Sequence, residues 1–228
     1  MPAIQARTES LYATTGKRVL DLCVIACAAP FLVLPMLVLA LAVLLDSGPP
    51  ILFRQRRVGR FGEPFEILKF RTMKPGAAAA GTITIAGDPR VTRAGRFLRR
   101  WKLDELPQVW NVIRGDMSLV GPRADVPGFA DRLDGADRLI LAVRPGITGP
   151  ATLRYKDEEA LLAAQDDPMR FNSEVVFPDK VRINKAYVEQ LSFGSDLRCI
   201  AGTLMLLAGD GVFRTAALPR PPSGETGI

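Results

Sequence analysis

The chain contains no histidine. That absence removes imidazole general bases, serine–histidine–aspartate triads and histidine-ligated zinc together. Cysteine is scarce. Cys23 and Cys27 lie in an apolar run, Cys199 lies far from both, and no Cys-x-x-Cys pair exists. A disulfide framework or zinc site is therefore not expected, and a reducing, cytosol-facing setting is the natural reading. Charge is missing from Leu22 to Leu45, a run of 24 residues. The rest of the chain is basic, with 30 Lys and Arg against 24 Asp and Glu, and Arg far outnumbers Lys. Arginine binds phosphate through a bidentate fork that lysine lacks. A basic balance suits nucleic acid, anionic lipid or a phosphorylated substrate, and by itself does not choose among them.

As one straight helix the uncharged run would be about 36 Å long, enough to cross a bilayer. Two features argue for another arrangement. Pro30 and Pro35 lie inside it, and each breaks or kinks a helix. Lys17 and Arg18 precede it, while Arg54, Arg56, Arg57 and Arg60 follow, so both ends belong on the cytoplasmic side. Together these predict a re-entrant helix–break–helix dipping into one leaflet. An ordinary transmembrane helix and a buried core helix are the alternatives.

What is present is organised around Asp104 and Glu105. Pro107 suits the first turn of a helix, Val109, Trp110, Val112 and Ile113 continue it, and Gly115 stops it. The acid pair then sits beside the positive end of a helix dipole, which favours the ionised forms. Upstream, Ala94, Phe97, Leu98 and Trp101 follow helical spacing and leave Arg93, Arg96, Arg99 and Arg100 for the other face. An acid pair facing arginines is what a site for phosphates plus a metal needs.

Elsewhere, segments 51–54 and 64–71 read as strands around a Gly-containing turn. Residues 74–88 read as a mobile Ala/Gly-rich loop. Gly121–Pro122–Arg123 and Arg144–Pro145–Gly146 read as rigid loops that each present an arginine. Helices are expected at 157–166, 181–191 and 197–207. The last carries Leu197, Ile200, Leu204 and Leu207 in a stripe for the core or a membrane surface. The organisation read from this is a lead-in at 1–16, the membrane helix at 17–46, a catalytic domain at 47–212 and a flexible tail at 213–228.

Several motifs occur in order: Lys17–Arg18–Val19–Leu20–Asp21, the stretch from Phe53 to Gly59, Lys69–Phe70–Arg71–Thr72–Met73, and Leu103 to Gln108. Asn111, Gly115–Asp116–Met117–Ser118, Gly121–Pro122–Arg123 and the stretch from Arg144 to Gly149 follow. With them the chain resembles the bacterial sugar transferase family, the monotopic polyprenyl-phosphate hexose-1-phosphate transferases or small phosphoglycosyl transferases. The resemblance implies an α/β fold of the α+β type: a re-entrant membrane helix and a small cytosolic catalytic domain with amphipathic interfacial helices. It implies an enzyme of the bacterial inner membrane, facing the cytoplasm. Such an enzyme transfers a sugar 1-phosphate from a UDP-sugar to undecaprenyl phosphate with Mg²⁺ and releases UMP, in glycoconjugate or exopolysaccharide assembly. The family's nucleophile maps onto Asp104, its metal-associated glutamate onto Glu105, and its upstream arginine onto Arg99. Members carry Ser-Pro at the helix bend, where this chain has Val33–Leu34–Pro35. Membrane lipids are expected partners, nucleic acid is not, and a homodimer stays open.

The chemistry can be argued beside the resemblance. A carboxylate nucleophile is ionised at neutral pH and needs no base, which suits a chain without histidine. Arg99, Arg123 and Arg144 are the expected phosphate or nucleotide ligands. Of Lys69 and Arg71, one is expected at the phosphates and the other on the surface. Arg54, Arg56 and Arg57 are expected at lipid headgroups. Asp116 is a turn residue or a second metal ligand. Trp101 and Trp110 are core or interfacial anchors. A non-catalytic membrane scaffold and a basic nucleic-acid-binding protein are the rival readings.

Overall fold

The computed structural model describes residues 10–77, 88–207 and 209. The first nine residues of the expected lead-in, the centre of the expected 74–88 loop and the expected 213–228 tail lie outside them. The fold is mostly helical, with two small two-stranded sheets.

Helix α1, Lys17–Ser47, follows a π-helical turn at Tyr12–Gly16, and the two together are long and apolar enough to cross a membrane. The interruption expected at Pro30 or Pro35 is not present: the helix runs through both. Each proline removes one backbone donor, and the neighbouring turns keep their own hydrogen bonds. Both ends of α1 dock on the rest of the protein. At the start, Lys17 Nζ donates to Asp196 Oδ2 at 2.5 Å, where the Tyr12 hydroxyl also donates at 2.6 Å. The Tyr187 hydroxyl donates to the other Asp196 oxygen at 2.5 Å. Asp21 Oδ1 accepts from Leu119 N at 3.0 Å, and Arg18 donates to the carbonyls of Val112 and Ile113. At the far end Val43 is buried with Phe70 and Leu98, and Asp46 accepts from Ala94 N at 2.9 Å. Between these anchors Phe31, Leu34, Leu37 and Val38 are exposed.

Strands β1, Leu52–Val58, and β2, Pro64–Phe70, form an antiparallel hairpin with Leu52 opposite Phe70. β1 is longer than the expected 51–54. The strand period then separates the arginines. Arg54 and Arg56 are exposed, whereas Arg57 turns inward and donates to Ala124 O at 3.0 Å. Arg57 is thus placed inside the protein and not at a headgroup surface.

Helix α2, Arg93–Arg100, starts at Thr92, whose Oγ1 accepts from Gly95 N at 3.0 Å. Its buried face differs from the expected one. Gly95 and Leu98 face inward, while Phe97 and Trp101 are exposed. The reason is close approach: a Cβ on Gly95 would overlap the Thr72 carbonyl, so α2 crosses the end of the hairpin at that point. Helix α3, Gln108–Arg114, begins after Pro107 and ends at Gly115, whose φ is +95°, as the sequence pattern predicts. Its Trp110 is exposed, so neither tryptophan is a core residue.

Strands β3, Ser118–Val120, and β4, Gly146–Thr148, pair in parallel. Five α-helices follow among the described residues: α4 Pro150–Arg154, α5 Glu158–Ala163, α6 Pro168–Phe171, α7 Phe177–Glu189 and α8 Phe193–Leu207, with a π-helical turn at Asn172–Val176 joining α6 to α7. Val120, Val143, Tyr187, Val188, Leu191 and Cys199 build the core between the β3–β4 pair, α7 and α8. Helix α8 is turned against its composition. Ser195, Asp196, Cys199 and Gly202 are buried, and the apolar side chains of Leu197, Leu204 and Leu207 are exposed.

Two predictions follow from this packing. A Cβ on Gly146 would overlap Gly121 N and Thr148 O, so Gly146→Ala lowers the unfolding free energy by about 1–3 kcal/mol, read as a drop in melting temperature in detergent. Asp196→Ala leaves buried Lys17 unpaired at a cost of about 3–5 kcal/mol. The Lys17→Met, Asp196→Leu double variant recovers most of that loss in the same assay.

Candidate active site

The acid pair lies in a single 3₁₀ turn, Leu103–Glu105, between α2 and α3. Lys102 enters the turn with φ of +54°, a conformation uncommon for a lysine and one that tertiary packing must hold. Leu103 and Leu106 supply that packing against Val43, Phe70 and Leu98. The turn therefore rests on the end of α1 and the end of β2. Asn111, fully buried on α3, fixes its register to the hairpin. Its Oδ1 accepts from Leu68 N at 2.9 Å and its Nδ2 donates to Glu66 O at 2.7 Å, so it pairs with β2 as another strand would.

That pairing brings Lys69 to the dyad. Lys69 Nζ donates to Glu105 Oε1 at 2.8 Å, and Arg123 donates to the same oxygen at 2.7 Å. Arg123 is delivered by the Gly-Pro loop after β3, held through Gly146 N donating to Pro122 O at 2.8 Å and the bridge between Arg123 and Gly146. Arg99 donates from Nε to Thr72 Oγ1 at 2.9 Å and from its terminal nitrogen to Glu159 at 3.1 Å. The Asp104 carboxylate is buried and accepts no hydrogen bond among the described residues.

The two acids titrate in opposite directions. Burial pushes Asp104 above the ordinary carboxylate range, Glu105 adds to this, and Lys69, Arg99 and Lys102 oppose it. Burial would raise Glu105 too, but Arg123 and Lys69 hold it far below the usual range. The helix-dipole expectation of two readily ionised acids thus gives way, for Asp104, to desolvation.

Asp104, Glu105, Lys69, Arg71, Arg99 and Arg123 all line one cavity of about 1890 Å³. Within it Arg71 has a second task. It is buried and donates to Ser47 O and Ser47 Oγ at 2.8 Å and to Gly48 O at 2.5 Å, capping the last turn of α1. Its Nε and its other terminal nitrogen are buried without hydrogen-bond partners among the described residues. Neither Lys69 nor Arg71 is a surface charge. Arg144 is not brought to this cavity. It lines a small cleft with Lys17, Arg18 and Arg60, and its Nε donates to Gly115 O at 2.7 Å at the end of α3. A rigid loop fixed its side chain, but on a backbone carbonyl. Asp116 also faces elsewhere, accepting from Asn111 Nδ2 at 3.3 Å.

The cavity has participants that sequence reasoning did not single out. Thr72 holds Arg99, and Tyr155, Glu158, Glu159 and Lys180 come from the 150–180 region. Lys180 donates to Glu158 at 2.6 Å. The acidic run at 157–159 was visible, but nothing in its spacing said that it turns toward the dyad.

The electrostatics predict opposite stability effects. Asp104 has a raised folded pKa, so its ionised form disfavours folding once pH exceeds its unfolded value. Asp104→Asn therefore raises the melting temperature at neutral pH. Glu105 has a lowered folded pKa, and its stabilisation is present above about pH 4.5 and lost as pH falls toward the folded value. Glu105→Gln weakens the charge pairing of buried Lys69 and Arg123 and lowers the melting temperature at neutral pH, at a cost of about 3–5 kcal/mol. Differential scanning fluorimetry in detergent reads both signs.

Residues 12–209 match the bacterial sugar transferase family. The chain is 47% identical over 155 residues to the UDP-glucose:undecaprenyl-phosphate glucose-1-phosphate transferase of Caulobacter vibrioides, covering 60% of this chain and 53% of that protein. It is 40% identical over 200 residues to the UDP-N-acetylgalactosamine-undecaprenyl-phosphate N-acetylgalactosaminephosphotransferase of Aeromonas hydrophila, covering 86% and 44%. It is 36% identical over 187 residues to the exopolysaccharide production protein PSS of Rhizobium leguminosarum, covering 78% and 85%. The chain thus spans about half the length of the first two. With a match over nearly all of its described residues, and the matched motifs converging on one buried acid pair, the chain belongs to the bacterial sugar transferase family.

Proposed function

We propose that this protein transfers a sugar 1-phosphate from a UDP-sugar to undecaprenyl phosphate through a covalent intermediate on Asp104. The observation that carries the reading is the asymmetry of the dyad. Glu105 is clamped by two cations, while the adjacent Asp104 carboxylate is buried, accepts no hydrogen bond among the described residues and is open to the same cavity. Asp104 attacks the sugar-bearing phosphorus, the bond to the bridging oxygen breaks, and UMP leaves with that electron pair. A lipid phosphate oxygen then attacks the same phosphorus and regenerates the carboxylate. Raised basicity from burial strengthens Asp104 as a nucleophile. Lys69, Arg99 and Arg123 neutralise the phosphates, and desolvation strengthens that attraction.

The donor set fits Mg²⁺. No cluster of three or more acidic or metal-ligating side chains occurs among the described residues, but Mg²⁺ binds through one or two carboxylates plus substrate phosphate oxygens. Glu105, whose Oε1 alone carries both cation contacts, would hold it and leave Asp104 to attack. When bound it supplies further charge neutralisation at the diphosphate.

The same proposal places the enzyme on the cytoplasmic face of a bacterial inner membrane, with α1 entering and leaving one leaflet. Ile25 packs in a cluster with Ile67, and Val43 in one with Phe70. In this reading α1 turns back at Pro30 and Pro35, which each remove a helix hydrogen bond without ending the helix, and the exposed apolar residues between the anchors are the part that enters lipid. The exposed stripe of α8 and exposed Phe97, Trp101 and Trp110 suit the interface.

The test is nucleoside monophosphate release from a panel of UDP-sugars, with Mg²⁺ and undecaprenyl phosphate in detergent. Asp104→Asn and Glu105→Gln are each expected to lower turnover by at least about 10³-fold while membrane association persists. With donor alone, the wild type releases one UMP per enzyme. Full activity in Asp104→Asn sinks the covalent mechanism.

A further inference from the structure

The cavity that holds the dyad is chemically two-sided. Around Asp104 and Glu105 it is lined by Lys69, Arg99, Arg123 and the polar residues of α5 and α7. It also extends between α1 and α8. There its walls are Val33 and Leu37 on one side and Ile200, Leu204 and Leu207 on the other. The two helices are joined at their beginnings. Lys17 opens α1, Asp196 lies in the first turn of α8, and their ion pair is buried. From that joint each helix runs on, and their later turns face one cavity. This part of the cavity, the wedge, thus has apolar walls from α1 and α8 beside a cationic, acid-bearing flank.

Leu204 is 62% exposed and Leu207 44%, although α8 had small and polar residues, Ser195, Cys199 and Gly202, that it buried instead. Thr203, the polar exception on the wedge wall, is satisfied internally by Thr148 Oγ1 at 2.7 Å and Cys199 O at 2.8 Å. The wedge therefore offers no hydrogen bond of its own from this wall. It fits a long apolar chain whose anionic end lies at the dyad.

We propose that the α1–α8 wedge receives the isoprenoid tail of the lipid phosphate acceptor, and that Leu204 and Leu207 set the enzyme's preference for acceptor chain length. This rests on the acceptor being a polyprenyl phosphate, as read above. The tail and the headgroup then share one cavity, and the phosphate is led to the position where Asp104 carries the sugar phosphate. Bilayer phospholipid filling the wedge is the competing occupant.

The experiment compares KM for two acceptors, a two-isoprene phosphate and undecaprenyl phosphate, in one detergent. The variants are Leu204→Asn, Leu207→Asn and, as control, Met205→Asn. Met205 is exposed on α8 beside Leu204 but does not line the cavity. Losing a leucine contact is worth about tenfold in affinity. Leu204→Asn and Leu207→Asn should each raise KM for the long acceptor about tenfold and leave the short one within twofold, while Met205→Asn changes neither. The proposal is overturned if the long-acceptor KM is unchanged. It is equally overturned if both acceptors suffer alike or if Met205→Asn has the same effect, which would mark general lipid or detergent contact. UMP release from donor alone is measured in parallel. Its absence in the wild type would remove the covalent mechanism, while the chain-length comparison would still decide the wedge.

Discussion

The meeting of Lys69 and Arg123 on one oxygen of Glu105 is the contact on which the site depends. It ties together three pieces of chain that are distant in sequence: the end of β2, the turn before α3 and the loop after β3. Each is held from behind by backbone. Asn111 completes the hydrogen bonding of β2, and the glycine loops of 121 and 146 pack main chain against main chain. Two cations on one buried glutamate neutralise more charge than it carries. The surplus positive potential falls on the neighbouring Asp104, where anionic substrates must gather. Burial keeps the Asp104 carboxylate basic, and the absence of hydrogen bonds to it among the described residues keeps it available.

Around this centre the protein reverses the usual placement of polar and apolar groups. The long apolar helix α1 is anchored by buried polar contacts: Lys17 with Asp196, Asp21 with the Leu119 amide, and Ser47 with Arg71. Its apolar middle is left exposed, as is the leucine face of α8. A soluble protein would expend stability on such a surface, whereas one that rests in lipid gains from it. The buried network at Asp196 also leaves Cys199 inert, since burial and the nearby carboxylate push its thiol up to about 11.

Much of the site was legible in the sequence because its chemistry is local. Adjacent acids before a proline, an arginine-bearing helix and the Gly121–Pro122–Arg123 loop are features of neighbouring residues, and such features specify turns, caps and charge. The inward face of α2 was not legible. Periodicity ranks residues by hydrophobicity, and a glycine that must fit beneath a carbonyl outranked Phe97 and Trp101 for the buried position. Arg144 was misplaced for a related reason: a rigid loop announces that a side chain is fixed and does not say upon what.

By itself the sequence determined the family, the uncharged helix with basic flanks, the dyad and most of the cations that surround it, because each is written in residue types at short spacing. Only the tertiary structure decided how those groups are divided. It clamped Glu105 and left Asp104 free, turned Arg71 to cap α1 and Arg57 inward, and brought Glu159 from 55 residues beyond Asp104 to Arg99. Charge and hydrophobicity are properties of residues, whereas desolvation and pairing are properties of places. Only the fold makes the places.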